Sequence, residues 1–150
     1  SLALVFILIN RFCDGLDGAV ARRNGITSLG GFLDITCDFI FYSAVILGFA
    51  LAEPEQNSLT ATFLIFSFMG TGASFLAFAA VAEKHGISSE AQGQKAFYYL
   101  EGLAEGTETI LFYIIICLFP EYFPALAMIF GVICWLTVIG RFGSAFSLLR

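Results

Sequence analysis

Charge is scarce in this 150-residue chain: only 13% of its residues are Asp, Glu, Lys or Arg, against about a quarter in an ordinary soluble domain. That shortage excludes a water-covered globular surface. Basic residues are scarcer than acidic ones, seven against twelve, and the formal net charge is −5; no basic footprint for nucleic acid is present. Histidine occurs once, and the four cysteines, Cys13, Cys37, Cys117 and Cys134, form no CxxC pair. Neither a zinc site nor a disulfide framework is indicated. Each thiol stands in or beside an apolar stretch, where it behaves as a small hydrophobe. Repeats, low-complexity tracts and domain-sized linkers are also lacking, so residues 1–150 read as one domain.

What fills the space is hydrophobic: 59% of residues, with a mean hydropathy of +0.89. Four apolar segments run roughly from Leu29 to Ala52, Thr60 to Ala82, Ala96 to Phe119 and Pro124 to Gly140. Each is of the length that crosses a bilayer, where about 20 residues are needed. The linkers between them are EPEQNS, the polar EKHGISSEAQGQK and PEYFP. Ahead of them stands SLALVFILI, too short for a span and without the basic flank of a signal peptide. It is read as the rest of a fifth span, with an upstream helix missing. Hydrocarbon leaves only helices and closed barrels, because every backbone polar group must be paired internally. Runs such as TILFYIIICLF lack the alternation of a barrel strand. The expected fold is therefore an all-α polytopic bundle, about five spans here and six with the N-terminal helix. Gly70, Gly72, Ala73 and Ser74 offer it a small-residue surface for close helix packing.

Orientation follows from the cations. Threading the five segments alternately puts Arg11, Arg22, Arg23, Lys84, Lys95, Arg141 and Arg150 on one side. The opposite loops, EPEQNS and PEYFP, contain none. Basic residues are retained in the cytoplasm, so the C-terminus and the basic face are expected there.

The acids are placed where acids are costly. Asp14 and Asp17 are three apart, and Asp34 and Asp38 four apart, so each pair lies on one helix face. A turn near Asn24-Gly25 would aim both pairs at a common point. A single Asp at a helix centre costs about 2.5–3.5 kcal/mol on insertion scales. Divalent cations offset such a cluster, since Mg²⁺ and Mn²⁺ prefer carboxylate oxygen, and two of them can clamp a phosphoryl group. Gly15, Gly18, Ala21 and Gly30 leave helix faces bare for a base and its phosphates, and Arg22 offers a planar fork of donors. Solvated loop ends would account for Asp14 and Asp17 alone, but not for Asp34 and Asp38 on one span. An EF-hand loop is excluded by the missing alternate ligands and closing Glu.

The order Asp14, Asp17-Gly18, Ala21-Arg22, Gly30, Asp34, Asp38 resembles the signature of the CDP-alcohol phosphatidyltransferases, D-x2-D-G-x2-A-R followed by G-x3-D-x3-D. It occupies 25 residues with eight fixed positions in register. It departs from the common pattern in one respect: seven residues rather than eight separate Arg22 from Gly30, and Gly31 follows at once. The resemblance implies a bundle of about six transmembrane helices, a cytoplasmic-side site, and two Mg²⁺ or Mn²⁺ ions on Asp14, Asp17, Asp34 and Asp38. It makes Asp38 the general base and lines the cytidine diphosphate pocket with Gly18, Ala21, Arg22 and Gly30. An acceptor hydroxyl would attack the β-phosphate of a CDP-alcohol, typically CDP-diacylglycerol, and CMP would leave. A homodimer among membrane lipids is implied too. The stretch from Gly31 to Tyr42 and the string EGLAEGTETI are similar to a small bacterial inner-membrane branch of the family. The acceptor alcohol stays open.

Glu101, Glu105 and Glu108 fall at i, i+4 and i+7. They either face a wet cavity as part of an acceptor pocket or lie solvated at headgroup level. Arg141, near the inner end of the last span, either meets an acceptor phosphate or lipid headgroup or, as the plainer reading, snorkels to the interface. Tyr98, Tyr99, Tyr122 and Trp135 suit interfacial belts, Trp135 lying deeper if any does. A cation transporter would also use intramembrane carboxylates, but has no need of Ala21-Arg22 and bare glycines beside them. A structural subunit with a vestigial cluster is the other alternative.

Overall fold

The computed structural model describes residues 4, 5, 7–11, 27–84 and 106–148. Among them there is no strand. Helical backbone at residues 4, 5 and 7–11 is followed by α1 (Ser28–Ala52), α2 (Pro54–Lys84), α3 (Gly106–Leu118), a 3₁₀ turn (Pro120–Tyr122) and α4 (Phe123–Leu148). At 1.5 Å per residue, α1, α2 and α4 reach about 37, 46 and 39 Å, enough to cross a hydrocarbon core of about 30 Å. By length and composition these three helices are membrane spans, and α3 is a shorter apolar helix.

The bundle has an apolar core with a few polar side chains set into it, and its outer surface is apolar as well. Leu29, Phe32, Ile40, Leu59, Met69 and Phe146 are all exposed, whereas Asn57, Ser67, Thr71, Thr109, Thr137 and Arg141 are buried. An outer surface of this kind is solvated by lipid tails. Inside it the hydroxyls return to their own helices: Ser67 donates to Phe63 O at 2.8 Å and Thr137 to Ile133 O at 3.2 Å.

The hairpin between α1 and α2 is tighter than the polarity of EPEQNS suggests. Only Glu53 lies outside helix, and α2 begins at Pro54, six residues before the expected Thr60. Proline at the first helical position has no N–H to leave unpaired. Asn57 then reaches back, donating through Nδ2 to Phe49 O at 2.9 Å, so a side chain of α2 caps the last turn of α1. PEYFP likewise winds into the 3₁₀ turn, and α4 continues past the expected Gly140 to Leu148.

The small residues meet the expectation placed on them, with a division of labour. The most extensive interface is α2 on α4, followed by α1 on α2. A Cβ on Gly72 would stand 2.6 Å from Phe39 Cε1 of α1, and one on Gly131 of α4 would stand 2.5 Å from Phe63 Cε1 of α2. Gly70 turns instead to α4, with Val138 and Trp135 at ordinary distance. Trp135 is half-buried mid-helix beside Phe66, ring centroids 5.2 Å apart, and so belongs to the packing rather than to an interfacial belt. Stacked rings tie the remaining helices: Phe112 on Phe130 at 4.5 Å and Phe49 on Phe123 at 4.7 Å. Ile7 of the N-terminal stretch inserts into the same core.

Candidate functional site

The site is built outward from the start of α1. Thr27 is its N-cap: Oγ1 accepts from Gly30 N at 3.1 Å. A side chain at Gly30 would bring Cβ to 3.0 Å from that oxygen, so glycine keeps the cap uncrowded. One turn on, Asp34 is exposed, and one turn further Asp38 is half-buried. The two carboxylates share a helix face, as their spacing of four predicts. Asp38 lies roughly 15 Å along the helix from Ser28, well inside the first span.

Each oxygen of Asp38 has a partner. Arg11 donates through Nη2 to Oδ1 at 2.6 Å, and the Tyr42 hydroxyl donates to Oδ2 at 3.1 Å. Arg11 is itself fixed. It donates to Asn10 Oδ1 from Nη2 at 2.7 Å and from Nε at 3.1 Å. Its guanidinium lies 5.7 Å from the centroids of both the Phe41 and Tyr42 rings. The ion pair is partly sheltered, the side chains being 19% and 29% exposed. Behind Tyr42 stands Tyr113 of α3, 0% exposed. Its hydroxyl donates to the Tyr42 carbonyl at 2.7 Å and its ring meets the Tyr42 ring edge-on at 5.8 Å.

Of the residues singled out in the sequence, Asp34, Asp38 and Gly30 therefore sit together on α1. Asp14, Asp17, Gly18, Ala21, Arg22, Glu101 and Glu105 lie outside the described residues. Among the described residues no group of three or more His, Cys, Asp or Glu gathers. Asp34 and Asp38 nevertheless fit a hard divalent cation: both offer carboxylate oxygen, and a carboxylate has about four lone-pair directions, of which the contacts above take two on Asp38. Glu108 is exposed in the first turn of α3, where a negative charge complements the helix N-terminus.

Arg141 departs from the snorkelling expectation. It is 8% exposed and turns into the bundle, donating through Nη1 to the Thr71 carbonyl at 2.8 Å and lying 5.5 Å from the Phe75 ring centroid. A backbone carbonyl and an aromatic face inside the protein substitute for headgroup water. It borders a groove of about 510 Å³ between α2 and α4, lined also by Gly70, Phe78 and Trp135. Arg11 and Tyr42 were not singled out as site residues from sequence. Tyr42 stands four beyond Asp38 and shares its face, a spacing that could have found it. No spacing could have paired Arg11 with Asp38 across 27 positions.

A span-borne carboxylate pair behind a glycine one turn earlier is the second half of the motif noted above. The family profile for CDP-alcohol phosphatidyltransferase matches residues 1–141. The chain belongs to this family. Two relatives are similar to this CDP-alcohol phosphotransferase. The inner membrane protein YnjF of Escherichia coli (strain K12) is 56% identical over 148 residues, 99% of this chain and 72% of that protein. The archaetidylinositol phosphate synthase of Pyrococcus horikoshii is 38% identical over 69 residues, 45% of this chain and 37% of that protein. No solved structure matches.

Proposed function

We propose that the chain transfers a substituted phosphate from a CDP-alcohol, CDP-diacylglycerol in the first instance, to a hydroxyl acceptor in phospholipid biosynthesis. The observation that carries this reading is Asp38, a carboxylate deep on α1 and held at both oxygens, in a chain of this family. Asp38 is the general base: it takes the proton of the acceptor hydroxyl. The hydroxyl oxygen forms a bond to the β-phosphorus, the bond from that phosphorus to the oxygen bridging the two phosphates breaks, and CMP leaves with the electron pair. Asp14, Asp17, Asp34 and Asp38 are the residues that hold two divalent ions, Mg²⁺ or Mn²⁺. Bound there, such ions supply charge neutralisation of the diphosphate. Gly18, Ala21, Arg22 and Gly30 line the cytidine diphosphate.

On the acceptor side stand Glu101, Glu105, Glu108 and Arg141. The name of the Pyrococcus relative favours a phosphorylated polyol as acceptor, and a buried guanidinium is the group suited to phosphate; that relative aligns over 45% of this chain. The name of the E. coli relative supports residence in a bacterial inner membrane. The one-sided distribution of Lys and Arg supports a cytoplasmic site and C-terminus, and the enzyme works as a homodimer.

The test is CMP release by the purified protein in lipid nanodiscs, with labelled CDP-diacylglycerol, Mn²⁺ or Mg²⁺, and a panel of glycerol 3-phosphate, inositol phosphate and serine. One acceptor is expected to yield a labelled phospholipid and stoichiometric CMP. No CMP from any pair, with a melting temperature that responds to Mn²⁺ but not to CMP, would sink the reading in favour of cation transport.

A further inference from the structure

Asp38 is enclosed by groups that neither the family motif nor the acceptor stripe contains. Arg11 from the N-terminal stretch and Tyr42 of α1 touch Asp38 directly, and Tyr113 of α3 stands behind Tyr42. We infer that Tyr42 and Arg11 are positioning residues for the transfer reaction, holding the Asp38 carboxylate in one orientation from its two oxygens. This rests on the reading of Asp38 as general base given above.

A free Asp on a helix rotates about two side-chain torsions, and its terminal torsion is broad. Here the carboxylate is pinned. The Nη2–Oδ1 distance of 2.6 Å and the Tyr42 hydroxyl at 3.1 Å on Oδ2 occupy one lone pair on each oxygen. That leaves the second pair of each directed away from both donors. Neither donor moves independently. The Arg11 fork is divided between Asp38 and Asn10 Oδ1, with Nη1 3.4 Å from the Tyr42 hydroxyl, and its plane lies against two rings. The Tyr42 ring is held edge-on by Tyr113, while the Tyr113 hydroxyl, fully buried, is spent on the Tyr42 carbonyl. A buried tyrosine hydroxyl needs such a partner. Its effect is to fix the α1 backbone at the residue that orients the base. The line Tyr113, Tyr42, Asp38 thus runs from α3 to the reacting proton, and α3 is the helix that carries Glu108.

The experiment is steady-state kinetics of the full chain in nanodiscs, measuring CMP release with the acceptor that the panel identifies. Tyr42→Phe keeps the ring contacts and deletes one hydroxyl. It is expected to lower kcat about 10- to 100-fold, the scale of a small misplacement of a reacting group, with KM for donor and acceptor within about twofold. Its melting temperature should stay within a few degrees of the parent. Arg11→Lys is expected to retain more kcat than Arg11→Ala, because a point charge replaces part of the fork. A solvent deuterium isotope effect on kcat should grow in Tyr42→Phe, since proton transfer to a loosened base becomes slower relative to other steps. Parental kcat in Tyr42→Phe and Arg11→Ala, beside an inactive Asp38→Asn, overturns the positioning role and leaves the base assignment standing. A drop in kcat accompanied by a rise in KM and a fall in melting temperature, with no advantage of Lys over Ala, also overturns it, as a structural role predicts that pattern. Parental activity in Asp38→Asn, or no CMP release by the parent, removes the base reading and this inference with it.

Discussion

Gly70 and Gly72 lie two residues apart on α2, about 200° around the helix, and their neighbours make opposite demands. Alanine at Gly72 would put Cβ 2.6 Å and 2.7 Å from Cε1 and Cζ of Phe39, inside the contact distance of two carbons. The ring edge must swing or α1 must withdraw, an overpacking cost of about 1–3 kcal/mol. Against that stands the gain of alanine over glycine in a helix, about 1 kcal/mol, leaving a net loss of up to about 2 kcal/mol. Alanine at Gly70 meets Val138 Cγ2 at 3.5 Å and Trp135 at 3.6 Å, ordinary contact on the wall of the α2–α4 groove, and keeps the gain. The two variants should therefore differ by about 2 kcal/mol, with Gly70→Ala at or above the parent. Reversible unfolding in mixed micelles measures the difference. Trp135, the single tryptophan, reports location: its emission should change in Gly70→Ala and not in Gly72→Ala. Phe39→Leu in the Gly72→Ala background should restore stability by clearing the ring. Equal stabilities, or a Trp135 response to Gly72→Ala alone, would refute the assignment of these two faces to α4 and α1.

Further expectations concern single groups. Asn57→Ala removes the bond to Phe49 O and should cost about 1 kcal/mol, measured by the same unfolding assay. The cost is kept low because the substitution also deletes Oδ1, among the described residues the one buried side-chain polar atom without a partner. Arg141→Met should leave the fold within about 1 kcal/mol of the parent, since a packed apolar chain offsets the loss of a buried cation. It should raise the acceptor KM about tenfold or more, and an unchanged acceptor KM would confine Arg141 to holding α4 on α2. Chelation by EDTA should abolish CMP release and added Mn²⁺ or Mg²⁺ should restore it; Asp34→Asn should raise the metal concentration needed for half-maximal rate.

The spans were legible because membrane helices are declared by composition over 20 or more positions, and α1, α2 and α4 have little else in them. The Asp34–Asp38 face was legible from a spacing of four. The tightness of the hairpin is not legible in composition, because a polar linker and a polar first helical turn look alike. Glu53 to Ser58 is polar since it lies at the end of the spans, yet Pro54 needs no hydrogen bond there and Asn57 caps its neighbour. The direction of Arg141 was beyond local reasoning. A long cationic chain near a span end reaches outward unless a receptor exists within, and the receptor here is a carbonyl 70 positions away, one that also accepts from Ser74 Oγ at 3.0 Å. The same holds for Arg11: its sign was counted in orienting the chain, but its partner is a tertiary fact.

That pairing alters how the central substitution must be interpreted. Asp38 lies inside the bundle, where a lone carboxylate is costly, and Arg11 is the counter-charge that makes its burial tolerable. The ion pair thus ties the N-terminal stretch to α1 as well as equipping the site, so assembly of the helices and assembly of the site are coupled. Asp38→Asn preserves shape and leaves an oxygen to accept from Tyr42 or Arg11, but it removes the negative charge facing a guanidinium that is 19% exposed. The loss of a charge-assisted bond of this kind is worth about 1.5–3 kcal/mol. A fall in activity caused by unfolding would track temperature and be relieved by cooling, whereas loss of a base would persist when the protein is fully folded. The rate of Asp38→Asn is therefore diagnostic when taken well below its own melting temperature, beside Arg11→Lys, which keeps a positive charge facing the carboxylate.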